Sequence, residues 1–267
     1  MRKCSSDMPS EDILGVDGRV AVVTGAASGH GRAAAQMLAK FGARVVPCDI
    51  NETELAKAAE TLARAGDHFP QVRDISSVEE CEKLIRETLT RYNRVDILVN
   101  AAAVLLPANI DDVDEALWGR TLDVNLKSQY FLSRAACRPM QRARWGRIIN
   151  FVSTAGITGG TLPVSVYGIS KAGVIAMTRS FARAFGRDNI LVNAISPATL
   201  ISPLFRRGMS DQELAAVSQD YLNSCVLGRW TRPEEVAMSV VFLASDMASC
   251  ITGHVLRADS GAEVLHP

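Results

Sequence analysis

Short apolar runs alternate along the chain with longer stretches in which apolar positions recur every third or fourth residue. The first run, Arg19–Gly25 (RVAVVTG), is apolar throughout and ends in glycine, the pattern of a strand covered on both faces. GRAAAQMLAKFG follows with helical composition and a stop at Gly42. Ala43–Asp49 reads as a second strand. The next segment reads as a helix, with Asn51 at its N-cap and Glu54 in the capping-box position. Asp67–Val72 is a weaker strand, and Ser77–Tyr92 a helix. Further strands are read at Val95–Asn100, Gly146–Ser153, Asn189–Ser196 and His254–Asp259, and further helices at Asp114–Arg138, Val166–Phe185 and Glu234–Ala244. This alternation predicts an α/β fold: a doubly wound parallel sheet, the Rossmann arrangement, with helices on both faces.

Residues 1–16 are polar and read as a loose tail, with residues 17–267 as a single domain. The tail lacks the apolar core of a secretory signal, and no apolar run approaches the roughly 20 residues of a membrane span. Ala198 to Trp230, between a strand and a helix, reads as an irregular excursion and a substrate lid over about 198–230. Lys plus Arg number 29 and so do Asp plus Glu, so charge gives no reason to expect nucleic acid or an anionic membrane as partner. Six separated cysteines without a CxxC pair argue against a structural zinc or a disulfide scaffold. The expectation is a cytoplasmic protein with no bound metal.

TGAASGHG, Thr24 to Gly31, lies between the first strand and the first helix, with glycines at 25, 29 and 31. Glycine permits the tight turn and lets backbone approach a phosphate, while the helix N-terminus offers N–H groups to the anion. Asp49, ending the second strand, can accept the hydroxyl hydrogens of an adenine ribose. It would also repel the extra phosphate of NADP, and no Arg or Lys lies between Gly25 and Gly31 to offset that. NAD is therefore expected over NADP.

The order of these pieces resembles the short-chain dehydrogenase/reductase family, in its compact single-domain form, from Gly18 to about Leu265. TGAASGHG looks like its cofactor loop, RDIS carries Asp74, and VNAAA stands where the family has Asn-Asn-Ala-Gly. VNLKSQYF carries Asn125, NFVSTAG carries Ser153, and YGISK carries Tyr167 and Lys171. NAISPATLIS and GRWTRPEEVAMSVVFLASDMASCITG resemble the family's C-terminal part. The resemblance implies a cofactor site of Gly25, Ser28, Gly29, His30, Gly31, Asp49, Ile50, Asp74, Ile75, Asn100, Ala101, Tyr167, Lys171, Pro197, Thr199, Leu200 and Ser202.

It also implies a catalytic set. Tyr167 is the proton donor or acceptor at the substrate oxygen, and Lys171 also holds the cofactor ribose. Ser153 hydrogen-bonds the substrate oxygen, and Asn125 anchors a water-linked proton path from Lys171. Residues four apart share a helix face, so Tyr167 and Lys171 can meet one ligand. An ammonium about 4 Å from the phenol is worth roughly 4 kcal/mol at an effective dielectric near 20, enough to lower its pKa by about 3 units. A lysine-lowered tyrosine pKa is therefore expected.

The sequence also departs from the family. Ala103 replaces a glycine, Pro197-Ala198 a Pro-Gly, and Ser202 a threonine. His30 replaces isoleucine and reads either as a charged contact to pyrophosphate or as a half-exposed helix-start residue. Ser153 precedes Tyr167 by one residue more than usual, which a loop with Gly159 and Gly160 can absorb. By position the pocket walls are Val104, Leu105, Ala155, Leu162, Val164, Thr199, Leu200 and Leu204, with Ser153, Ala155, Leu162, Tyr167 and Leu204 at the substrate. The lining implies a small, largely apolar secondary alcohol or ketone. Arg206-Arg207 are either an acid clamp or two solvated arginines. Three functions remain open: an NAD-dependent dehydrogenase, an NADH-dependent ketoreductase of the 3-oxoacyl type, and a non-catalytic dinucleotide sensor. The family further implies a homotetramer, or a homodimer, through the helices near Asp114–Arg138 and Val166–Phe185.

Overall fold

The structure is a computed structural model, and the residues it describes are 14–63, 66–160, 163–197 and 210–262. Seven parallel strands form one sheet: β1 Val20–Thr24, β2 Arg44–Asp49, β3 Gln71–Val72, β4 Ile97–Asn100, β5 Gly146–Phe151, β6 Ile190–Pro197 and β7 Val255–Ala258. Their order is β3-β2-β1-β4-β5-β6-β7. The helices are α1 Gly29–Lys40, α2 Glu52–Ala63, α3 Val78–Tyr92, α4 Glu115–Leu122, α5 Ser128–Ala143, α6 Ala155–Thr158, α7 Ser165–Phe185, α8 Asp211–Ser224 and α9 Pro233–Ala244.

The central strands are apolar at nearly every position because helices cover both faces of the sheet. Along β1 the side chains alternate between two core layers. Ala21 and Val23 join Val45, Ile97, Ile149 and the α1 and α9 residues Leu38 and Val240. Val20 and Val22 join Val46, Leu98, Ile148 and the α3, α5 and α7 residues Leu84, Leu132 and Val174. The chain order reverses between β1 and β4, so a crevice opens at the carboxyl ends of these two strands, where α/β sheets hold their ligands.

Four sequence expectations change. The strand expected at Asp67–Val72 shrinks to Gln71–Val72, because the Val45 N–H donates to His68 Nδ1 (3.0 Å) instead of to a strand carbonyl. The helix expected at Asp114–Arg138 is two helices joined by a π turn, Asp123–Lys127, and it runs on to Ala143. The excursion expected to be irregular contains α8, closed at its start by a capping box in which Glu213 N–H donates to Ser210 Oγ (3.3 Å) and Ser210 N–H to Glu213 Oε2 (2.8 Å). Finally, packing begins before residue 17. Val16 is fully buried with Leu14 against the same core, and the Leu14 carbonyl accepts from Asp246 N–H (3.1 Å).

Candidate active site

The glycine loop sits at the mouth of the crevice. Gly25 has φ 68°, and a Cβ there would lie 2.8 Å from the Ala102 backbone nitrogen. A side chain at Gly31 would run into the Gly25 carbonyl. The loop is thus held close to the end of β4, and the glycines cannot be exchanged without moving it. Ser28 is the extended N-cap of α1, but its side chain makes no capping bond, and the first turn carries no acidic residue. The N–H groups and positive end of α1 are left facing the crevice, which fits a pyrophosphate. Gly29 follows with φ 53°, and His30 stacks on Phe151, ring centroids 5.8 Å apart.

Asp49 lies at the carboxyl end of β2. One oxygen accepts from Ala27 N–H and the other from Asn51 N–H, both at 3.0 Å. Each carboxylate oxygen keeps a lone pair for a sugar hydroxyl. Ile50 beside it is 57% exposed, an apolar surface beside the place such a sugar would take. Asp74 accepts from Ser76 N–H (3.0 Å) and pairs with Arg120 (3.3 Å), while Ile75 is buried beneath. Thr24 Oγ1 accepts from the N–H groups of Ala101 (3.2 Å) and Ala102 (3.3 Å), tying the ends of β1 and β4 together.

Asn100 departs from expectation. Its side chain is fully buried and donates to Ser133 Oγ (3.2 Å) and Asn150 Oδ1 (2.9 Å). Through that amide nitrogen it braces the sheet against α5.

On the far wall, Ser153 follows β5 and Tyr167 and Lys171 project from the start of α7. The Tyr167 hydroxyl lies close enough to the Ser153 side chain for the serine to draw its pKa down. Lys171 Nζ lies 5.5 Å from the centre of the Tyr167 ring and donates to the Phe151 carbonyl at 2.8 Å. Two glycines set this geometry. A Cβ on Gly156 would lie 2.7 Å from the Lys171 carbonyl carbon, and one on Gly168 would lie 2.8 Å from the Gly159 oxygen. α6, just beyond Ser153, therefore rests directly on the backbone of α7. Gly159 and Gly160, after α6, have φ 89° and 78°, a left-handed backbone that glycine takes without strain.

Asn125 lies in the π turn and is fully buried. Its Nδ2 donates to the Val104 carbonyl (2.9 Å) and Ser170 Oγ (3.2 Å), and its Oδ1 accepts from Val104 N–H (2.8 Å). Ser170 Oγ donates in turn to the Tyr167 carbonyl (2.6 Å).

The pKa pattern corrects one expectation. Burial pushes Tyr167 up to about 12, against the lowering effect of its Ser153 hydrogen bond. Burial also holds Lys171 down, at about 8. Desolvation disfavours both charged forms, so in the protein's own surroundings the lysine does not bring the phenol down.

The similarities to known proteins agree with this geometry. A family model described as enoyl-(acyl carrier protein) reductase matches residues 25–263. The 3-oxoacyl-(acyl-carrier-protein) reductase FabG of Thermotoga maritima is 34% identical over 249 residues, 92% of this chain and 98% of that protein. The NAD-dependent glycerol dehydrogenase of Listeria innocua is 38% identical over 243 residues, 91% of this chain and 93% of that one. The chain belongs to the short-chain dehydrogenase/reductase family. A solved Beutenbergia cavernae structure of this family is described as a candidate NAD(P)-dependent gluconate 5-dehydrogenase with NADP at low occupancy. It matches with TM-score 0.87 and 33% identity, covering 94% of this chain and 99% of that one.

As a short-chain dehydrogenase/reductase, the protein is an NAD(P)-dependent oxidoreductase of CH–OH and C=O groups. Of the expected site residues, Gly25, Ser28, Gly29, His30, Gly31, Asp49, Ile50 and Ala101 lie around the loop and the ends of β1, β2 and β4. Ser153, Ala155, Tyr167 and Lys171 lie on the opposite wall, and Pro197 ends β6. Leu162, Thr199, Leu200, Ser202, Leu204, Arg206 and Arg207 fall outside the described residues. The sequence reading missed the Thr24 tie, the Gly156 and Gly168 contacts, Ser170 and the π turn. Threonine closing an apolar strand and small residues flanking Tyr167 were visible, but their partners lie far away in the chain.

Proposed function

We propose that the protein is an NAD-dependent dehydrogenase of a small, largely apolar secondary alcohol, with reduction of the matching ketone as the reverse reaction. The observation that carries this is the meeting of Ser153, Tyr167 and Lys171 at one place, with an α1 N-terminus that no side chain caps and no acidic residue neutralises. The bound nicotinamide supplies or accepts the hydride. Tyr167 exchanges the proton of the substrate oxygen, and Ser153 holds that oxygen in line with it. Lys171 passes protons to and from Tyr167 and places a cationic charge beside the cofactor ribose. Asn125 clamps the turn on which this set rests.

Asp49 supports NAD over NADP, since its carboxylate stands where a ribose phosphate would be repelled. The name of the glycerol dehydrogenase relative points the same way. Asp74 would bind the adenine edge through whatever acceptor capacity Ser76 and Arg120 leave it. We place the enzyme in the cytoplasm, as a homotetramer or homodimer.

The test follows nicotinamide absorbance with NAD⁺ or NADP⁺ and a panel of cyclic, aliphatic, polyol and acid-bearing alcohols. Expected are turnover with NAD⁺, its loss in Tyr167→Phe, and an NAD⁺ preference that falls about tenfold or more in Asp49→Asn. Turnover surviving in Tyr167→Phe would remove the acid/base role. A wild-type preference for NADP⁺ would remove the role of Asp49.

A further inference from the structure

A cavity of about 630 Å³ lies between the edge strand β7 and the helices α6 and α7. It shares no lining residue with the glycine loop or with the Ser153, Tyr167 and Lys171 set. Its apolar part includes Ile157 of α6, Ile175 of α7 and Val255 of β7. Ile157 is 46% exposed, a large apolar side chain that the described residues leave half in water. Arg179, His254 and Arg257 stand around these three, all exposed, and no acidic residue lines the cavity. The side chains of Arg179 and His254 make no hydrogen bond or ion pair with the described residues.

The volume is that of a small-molecule pocket. One arginine in water needs no explanation. Basic groups from two elements, converging on an apolar floor with no carboxylate among them, set up a field that an anion satisfies. The floor itself gains only from apolar contact. A sugar phosphate would meet the arginine and waste the isoleucines, and a plain hydrocarbon would do the reverse. A molecule with an apolar body and one carboxylate meets both, and the carboxylate fits the guanidinium fork bidentately. The place matters as well. Ile175 follows Lys171 by one turn of α7, and Ile157 is next to Gly156, which rests on the Lys171 backbone. The Gly156 N–H also donates to the Ser153 carbonyl at 2.9 Å. An occupant of the cavity therefore touches both helices that set the catalytic wall.

We propose that this cavity is a second ligand site, for a small apolar carboxylate, and that its occupant raises turnover through α6 and α7. Arg179 holds the carboxylate, with His254 as a further donor, and Ile157, Ile175 and Val255 take the apolar body. A ligand lying against Ile157 and Ile175 together holds α6 on α7, and with it Ser153 beside Tyr167. The binding half stands on the cavity alone, and the turnover half rests on the dehydrogenase reading.

The probe is octanoate, titrated calorimetrically into the whole chain saturated with NADH. Saturable binding is expected, weakened about tenfold in Arg179→Gln, an exposed position whose change leaves the fold and the basal turnover intact. Absence of binding overturns the proposal, whether the cavity is too open or a second copy covers it. Equal affinity in Arg179→Gln overturns it too, because the octanoate then sits elsewhere. The second arm measures turnover of the best alcohol of the panel at saturating alcohol and NAD⁺. Bound octanoate is expected to raise kcat roughly fivefold in the wild type and to leave it unchanged in Arg179→Gln at the same concentration. Binding at Arg179 with kcat unmoved or lowered overturns the route through α6. If no alcohol turns over, the dehydrogenase reading fails and takes the turnover half with it, while the titrations still decide the site.

Discussion

A lysine 1% exposed, with one carbonyl for a partner, sits where an ammonium is costly to keep. Burial lowers the Lys171 pKa from 10.5 to about 8, which corresponds to roughly 3 kcal/mol against the folded state at neutral pH. Lys171→Met is therefore expected to raise stability at pH 7 by about that amount while abolishing turnover, as thermal melts and the nicotinamide assay would show. The sign with pH follows. Between about pH 8 and pH 10.5 the unfolded chain binds more protons than the folded one, so the wild type gains stability as pH rises across that window. The methionine variant loses that rise, and equal slopes in the two proteins would contradict it. Tyr167 gives a second prediction. Its pKa is raised by burial and drawn back by Ser153, so the basic form is scarce at pH 7 and grows as pH increases. kcat/KM for alcohol oxidation should climb through the alkaline range, and Ser153→Ala should move that climb to higher pH; a profile unmoved by the substitution would deny Ser153 its hold on the hydroxyl. The tyrosine and lysine were legible from their spacing in YGISK. The burial that sets their pKa values was not, because the residues that close over them come from other elements.

Helix starts are the part of the fold written locally. Ser77 accepts from Glu80 N–H and Asn51 from Glu54 N–H, each within three residues, and the sequence places the starts of both helices to within a residue. α8 carries the same signal in Ser210 and Glu213, but its apolar stripe is weak and periodicity alone passes over it. The π turn leaves no such mark. It arises because Asn125 must reach Val104 and Ser170 at once, and helix composition does not record that demand. The α6–α7 contact is set at the same scale. Gly168 faces two carbonyls, with a Cβ 2.8 Å from the Gly159 oxygen and 2.9 Å from the Ala155 oxygen, and backbone yields less than a side-chain tip. Gly168→Ala is expected to push α6 off α7 and part Ser153 from Tyr167. The measurable outcome is a loss of about 1 to 3 kcal/mol in stability and a fall in kcat larger than any change in the KM for NAD⁺, whose phosphates our proposal places at the start of α1 instead. An alanine variant with wild-type kcat would mean that the two helices can move apart without disturbing the pair.

At the scale of the molecule, seven alternating strand and helix signals with right-handed crossovers leave few possible sheets, and the observed order is one of them. The same topology fixes where the site lies, because the order reverses between β1 and β4 and the motif residues fall at those strand ends. Assembly is less legible, since an exposed apolar residue in a sequence resembles a buried one. The structure separates them. Trp118 on α4, Tyr130 on α5 and Ile169 on α7 are 42%, 44% and 50% exposed, and Ala172 and Ala176 lie exposed on the same helix as Ile169. Tyr130 is not loose: its ring packs edge-on against Phe181 at 5.2 Å, so α5 and α7 present one firm face. Small residues at 172 and 176 let a second helix pair approach closely, and a stable contact needs about 800 Å² from each partner. Light scattering at micromolar concentration is thus expected to give two or four times the 28.8 kDa of one chain. Ala172→Arg, which sets a long charged side chain on this exposed face, should reduce that mass while leaving the melting of the single chain nearly unchanged. A wild-type mass of one chain would show that this face stays in water, and an undiminished mass in Ala172→Arg would move the interface to another surface.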